Sequence, residues 1–369
     1  MTFLRSLLLA VLGVLAIAPA ASATTLVHVR TAALNVIADP AGSDVTAWWD
    51  GAVGQYVIHD PHGLAVDPTP APAFDGKCVQ LDATHIRCQR VFGDFDAFHV
   101  NFYGDVGDDE VRFGYGVPWH GLDASTILGG GGDDRLGGTP NHDQIYAGGG
   151  SDLVDGGAGS DTIVGFNSFL FPAWLPEMPS MPGTGPEPGP AGEDRLYGGP
   201  GSDFLVDEDE LTAPGPDLLD GGSCAESEFC LAAPPAEAAD DVDRVRYYRY
   251  ANLAIRLDVP GGSGVPGEGD TVRNVEDAIG SLGNDLLVGN GDANMLWGVD
   301  GDDRLVGAGD PGVGDELRCG LGTDRAEVDA DDVTTDCETV TQPSAGGKPN
   351  KRCKPKQLAR GRARCARPR

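Results

Sequence analysis

Residues Gly129 to Val164 read GGGGDDRLG, GTPNHDQIY, AGGGSDLVD, GGAGSDTIV, four units of nine with nothing between them. Asp134, Asp143, Asp152 and Asp161 take the sixth place of their units, and Leu136, Ile145, Val154 and Ile163 the eighth. The last unit fits the pattern G-G-x-G-x-D-x-U-x, with U a large apolar residue, at every place. A unit this short holds a turn of about six residues and a strand of about three, so the chain is a ribbon that coils, two units to a coil. Coils stack as parallel strands about 4.8 Å apart. Asp134 therefore lies over Asp152, and Asp143 over Asp161.

Half of that spacing is about 2.4 Å, within the roughly 2.3 to 2.6 Å of a calcium to oxygen bond, so the spacing admits a Ca2+ ion between stacked carboxylates, with backbone carbonyls completing its shell. A turn that aims carbonyls inward needs positive φ and close backbone approach, which glycine tolerates. Gly130, Gly132, Gly148, Gly150, Gly157 and Gly159 supply it here. The eighth-place residues face inward and fill a thin core. One apolar residue in nine does not offset an ordering cost of about 1 to 2 kcal/mol per residue unless metal binding supplies the difference.

The phase returns twice. GPAGEDRLY from Gly189 and GGPGSDFLV from Gly198 place Asp194 and Asp203 before Leu196 and Leu205, with Gly199 and Gly201 in the second turn. GSLGNDLLV, GNGDANMLW and GVDGDDRLV run from Gly280 to Val306, so Asp285, with Gly283, stacks on Asp303, with Gly301. Asn294 holds the carboxylate place between them, where a neutral amide weakens a cation site. Looser copies place Asp109 before Val111, Asp217 before Leu219, Asp315 before Leu317 and Asp324 before Ala326.

On these units the chain, from Gly104 to Glu327 with interruptions, resembles the hemolysin-type calcium-binding (RTX) repeat family. The resemblance implies an all-β fold, a right-handed parallel β-roll or β-solenoid, with calcium as cofactor between turns and ion-dependent folding. It departs in the export signal, because better-known members leave through an uncleaved C-terminal one. Here Leu7 to Ala18 is an apolar run behind Arg5, and Ala21-Ser22-Ala23 offers a cleavage site, so residues 1–23 read as a secretory signal peptide. The mature protein is expected outside the cell, or associated with its wall, with no transmembrane segment.

Eight cysteines suit that compartment, and Cys78 with Cys88, Cys224 with Cys230, Cys319 with Cys337 and Cys353 with Cys365 are the local pairings expected. The formal net charge is −31, and the tail from Pro343 carries ten Lys or Arg and no acid, so the body before it is more acidic still. Such a body repels itself until cations bind and excludes nucleic acid as its partner. The tail, by contrast, can dock on an anionic polymer or on the body.

The organisation expected is an N-terminal β segment over 24–103, alternating as in Phe98, Val100 and Phe102; a repeat block over 104–164; a Pro-rich insertion over 165–188 with Phe166, Phe169, Phe171 and Trp174; a second block over 189–220; a disulfide-containing β insertion over 221–279, with Leu253, Ile255, Leu257 and Val259 alternating; a third block and cap over 280–342; and the basic tail 343–369. No H-E-x-x-H, G-x-S-x-G or phosphate-loop motif occurs. The function expected is therefore a non-catalytic, monomeric, secreted calcium-binding solenoid with a structural or surface-interaction role. The rivals are a glycan lyase or epimerase, for which Asp133 with Asp134 and Asp302 with Asp303 offer acid and base, and an adhesin or lectin for extracellular or cell-surface polysaccharide.

Overall fold

A computed structural model describes residues 24–30, 33–67, 77–89, 99–113, 124–165, 192–207, 215–222, 241–307 and 312–342. The expected signal peptide over 1–23, the aromatic residues from Phe166 to Trp174, the expected pairings Cys224 with Cys230 and Cys353 with Cys365, and the basic tail lie outside them. Every regular element among the described residues is a strand, arranged in sheets of 13, 10 and five. No helix there is long and apolar enough to cross a membrane.

The eighth-place residues set the register. On the first flank Ile127, Ile145, Ile163, Leu205 and Val245 are successive partners in parallel strands, followed by Ala278, Leu296 and Leu317. Facing them on the second flank are Val111, Leu136, Val154, Leu196, Leu219 and Val272. All are buried; neighbours such as Arg135, Gln144, Arg195, Glu316 and Arg318 are exposed, while others, such as Leu128, Val164, Tyr197 and Val206, are buried as well. Strand Thr162–Val164 pairs directly with Phe204–Asp207, and Leu153–Asp155 with Arg195–Tyr197, so the phase is kept from one matched block to the next.

At the N-terminal end the roll meets a different kind of sheet. Ala33–Ile37 lies parallel to His99–Tyr103 but antiparallel to Thr25–Arg30, and Asp44–Asp50 lies parallel to Glu110–Phe113 but antiparallel to Gln55–His59. His85–Gln89 and Cys78–Gln80 continue that antiparallel edge, joined by the Cys78–Cys88 disulfide. Tyr56, Ile58, Ile86, Phe102 and Phe113 fill this end, which is thus better packed than the one-residue rungs above it.

The described residues 241–279 are part of the roll. Arg244–Tyr247 and Asp277–Ile279 continue the first flank, and Thr271–Arg273 pairs with Leu218–Asp220 on the second. Between them Ala254–Arg256 founds the third sheet, beneath Leu286–Val288, Arg304–Val306 and Arg325–Glu327. The chain then doubles back, and Ser263 and Gly264 bridge antiparallel to Asp270 and Ala254, linking the second sheet to the third. The alternation from Leu253 to Val259 yields only this short strand, and Val259 is exposed. Beyond it, Cys319–Cys337 ties strand Glu316–Leu321 to the chain after Val333–Thr335.

Val299 occupies the second place of its unit with φ at 85°, where Gly130 and Gly148 stand at 108° and 115°. A β-branched residue is strained there, by about 1 to 2 kcal/mol. Val299→Gly should therefore raise stability by about 1 kcal/mol even after the extra chain entropy of glycine. Thermal melting at saturating calcium measures this, and an unchanged or lower melting temperature would show that no strain is relieved.

Candidate metal centre

Most strands of the roll are preceded by a carboxylate, and these form ladders along its length. The N–H of Asp109 donates to Asp134 Oδ1 (2.8 Å), that of Asp134 to Asp152 (2.8 Å), and the line continues to Asp194 (2.9 Å), Asp217 (2.8 Å) and Asp270 (3.0 Å). On the other flank Asp143 donates to Asp161 (2.8 Å), and the line passes through Asp203 (2.7 Å) and Asp243 (2.8 Å) to Glu276 (2.8 Å). Along the third sheet Asp285 donates to Asp303 (2.9 Å), Asp303 to Asp324 (2.8 Å) and Asp324 to Glu338 (2.8 Å). The stacking of Asp134 on Asp152, Asp143 on Asp161 and Asp285 on Asp303 is as the nine-residue phase requires. Along the axis between stacked carboxylates, Oδ1 accepts a backbone N–H.

The second oxygen faces elsewhere. Oδ2 of Asp109, Asp134, Asp152, Asp161, Asp303 and Asp324 is buried and accepts no hydrogen bond from the protein. In Asp109, Asp134, Asp161 and Asp303 it points at the glycine that opens the turn: a Cβ added to Gly156 would lie 2.5 Å from Asp161 Oδ2, and one on Gly129 or Gly298 closer still to Asp134 or Asp303. The turns themselves stack glycine on carbonyl. Gly148 and Gly150 sit on the carbonyls of Gly130 and Gly132, Gly199 and Gly201 on those of Gly157 and Gly159, and Gly301 on that of Gly283, each too close for any Cβ. All of these glycines have positive φ except Gly283, which is held by its approach to the Ala251 carbonyl instead. Buried carboxylate oxygens beside converging carbonyls make a hard, anionic donor set of the kind calcium takes.

The units are not equivalent. In the second unit Thr139 replaces glycine, and its N–H (2.5 Å) and hydroxyl (2.9 Å) both donate to Asp143 Oδ2. Ser281 does the same to Asp285, its N–H reaching Oδ2 at 2.6 Å. Asn294 closes its turn outright: its side-chain oxygen accepts the N–H of Asn290 (2.8 Å), and its amide donates to the Glu276 carbonyl (2.7 Å). The residues before the ladder carboxylates act as outer rungs, Asp133 accepting the N–H of Ser151 and Asp302 that of Thr323, both at 2.9 Å. Asp133 and Asp302 are thereby committed to the backbone rather than poised beside Asp134 and Asp303.

Where the second flank changes sheet, the carboxylates meet a protein cation. Asp207, Glu268 and Asp270 are buried with one oxygen each within 4.8 Å of the others. Arg249 donates to both oxygens of Glu268 (2.8 and 3.0 Å) and to Asp207 Oδ1 (2.8 Å), and the Tyr247 hydroxyl donates to Asp270 Oδ2 (3.0 Å). Asp243, Asp270, Glu276, Asp332 and Glu338 were not picked out by the glycine pattern. Their signal is an acid two places before an inward residue, as in Asp243 before Val245 and Glu338 before Val340.

Burial is the largest influence on these acids. It pushes Asp134 up to about 9 and Asp109, Asp143, Asp152 and Asp303 up to about 7, and it raises Asp161 well above its ordinary value. The folded state therefore binds more protons than the unfolded chain between about pH 4 and these values, and stability falls as pH rises through that window. In calcium-free buffer the strand signal in circular dichroism should be stronger at about pH 5 than at about pH 8, and calcium added near neutrality should release protons. A calcium-free chain more stable at the higher pH would contradict the burial. Asn294→Asp gives a second check: it should raise calcium stoichiometry by one and lower calcium-free stability by about 1 to 3 kcal/mol, from the lost amide bonds. Unchanged stoichiometry would show that a carboxylate at this place does not complete a site.

A comparison with sequence families matches the RTX calcium-binding nonapeptide repeat (4 copies) at residues 128–163, 189–206 and 279–311. No curated protein matches the chain. The matched segments are those whose carboxylates stack and whose glycines lie on carbonyls, and with them the chain is identified as a carrier of RTX calcium-binding nonapeptide repeats.

Proposed function

We propose that this is a secreted protein whose β-roll folds on calcium and then serves as an extracellular scaffold or interaction surface, without chemistry of its own. The observation that carries the reading is the set of buried Oδ2 atoms with no hydrogen bond, those of Asp109, Asp134, Asp161 and Asp303 facing the glycine that opens their turn. On this reading Asp134, Asp152, Asp161 and Asp303 are carboxylate ligands, and Asp109 and Asp324 extend the rows beyond the matched repeats. Asp143 and Asp285, already bonded within their turns, hold weaker sites. Asp194 and Asp203 lie in the same rows. The signal peptide and paired cysteines support an oxidising compartment where calcium is abundant. Asp133 and Asp302 each accept a backbone N–H of the neighbouring coil, which supports a structural role for them over acid or base work on a glycan.

Calcium titration followed by far-UV circular dichroism tests the proposal. Strand structure in the roll should be lost with chelator and regained by about 0.1 to 1 mM calcium, the range of extracellular modules. Asp152→Ala should lower the stoichiometry or the affinity, whereas Asp258→Ala, at an exposed pair with Arg256, should change neither. Equal effects of the two substitutions would mean that calcium binds diffusely by net charge, and a chelator-resistant fold would sink the proposal.

A further inference from the structure

The N-terminal sheet carries a group of donors unlike those of the roll. His59 and His85 are direct partners across the antiparallel strands Gln55–His59 and His85–Gln89. Their ring centroids are 4.5 Å apart with planes tilted by 40°, and both side chains are half-buried. Nδ1 of His85 lies 3.0 Å from Asp82 Oδ1 and 3.0 Å from the Thr84 hydroxyl. Trp48 packs edge-on against the His85 ring, 6.5 Å between centroids at 84°. An ionised carboxylate at Nδ1 holds the ring proton there and leaves Nε2 as the lone-pair donor, the outer-shell arrangement that orients and strengthens imidazole ligands.

We infer that His59 and His85 form a two-imidazole site for a divalent transition-metal ion, Cu2+ above all, oriented by Asp82 and distinct from the calcium chemistry of the roll. A metal to imidazole bond is about 2.0 Å and a ring centroid lies roughly 1.1 Å behind its nitrogen. Two rings bound to one ion at a right angle therefore have centroids about 4.4 Å apart, against roughly 5.1 Å at a tetrahedral angle. The observed 4.5 Å matches the right angle of tetragonal Cu2+. Cu2+ also heads the affinity order for nitrogen donors, while calcium takes oxygen, so the two ions sort themselves by ligand type. Two protein nitrogens leave the remaining positions of the ion open to water or to a ligand from solution.

The experiment is a Cu2+ titration of the full chain in millimolar calcium, read by electron paramagnetic resonance and by tryptophan fluorescence. One tight Cu2+ should bind per chain, with hyperfine structure from two nitrogens and quenching of Trp48. His59→Gln and His85→Gln should each reduce the pattern to one nitrogen and weaken binding more than about tenfold. Asp82→Asn acts through His85, so it should weaken binding about tenfold while keeping both nitrogens. His99→Gln, on an exposed strand position, should change nothing. The wild-type spectrum decides even where a variant folds poorly: without a two-nitrogen signal the inference falls, and it also falls if that signal survives in both histidine variants. Since the titration is made on the calcium-loaded chain, its failure leaves the calcium reading untouched.

Discussion

A carboxylate with one oxygen on the N–H of the neighbouring coil and the other buried in a glycine turn is the interaction on which the roll depends. Its two halves pull in opposite directions. The N–H···O bond fixes register and ties coil to coil, as between Asp134 and Asp152. The same burial leaves a charge without solvent, and repeating it every coil adds repulsion between neighbours such as Asp143, Asp161 and Asp203. A proton resolves the conflict below the raised pKa values, and a divalent cation resolves it above them as well. The thin core, one inward residue per strand, is what makes that resolution decisive for folding.

Because the contact lies between rungs and not along the chain, coil length is free to vary. Successive carboxylates in one ladder are separated by 18, 42, 23 and 53 residues with no break in the hydrogen bonding. The longest excursion carries the second flank from one sheet to another, and there the design changes. Arg249 and Tyr247 satisfy Asp207, Glu268 and Asp270 from within the chain, so the place where the geometry departs most from the repeat is held by side chains.

The sequence made the roll legible because a fixed period survives translation into stacked rungs. It revealed which aspartates stack and which aliphatic residues face inward. It did not reveal the fate of each second oxygen, which turns on one residue four places earlier. Thr139 and Ser281 look like minor departures from glycine, yet their N–H and hydroxyl groups occupy the carboxylates of Asp143 and Asp285. Nor did it reveal the third sheet. Alternation from Leu253 to Val259 marks a strand but not its partner, and the reversal at Gly261 to Gly264 depends on positive φ that glycine permits without requiring. Rungs headed by Asp243 or Glu276 lack the glycine turn, so their place in the ladder follows from pairing alone.

The N-terminal segment completes the logic by being stabilised differently. Its interior holds Tyr56, Ile58, Ile86, Phe102 and Phe113, several large side chains where a repeat coil offers one inward aliphatic per strand, and Cys78–Cys88 closes its edge. That burial does not call on a cation. Its two parallel junctions, Ala33–Ile37 with His99–Tyr103 and Asp44–Asp50 with Glu110–Phe113, present both flanks of the first coil in register. Ser43 then donates its N–H to Asp109 Oδ1 at 2.6 Å, placing the first carboxylate of the second-flank ladder before any repeat coil is added. On the calcium reading proposed above, each later coil would add to a rung already in register, with one ion offsetting the ordering cost of its glycine-rich turn.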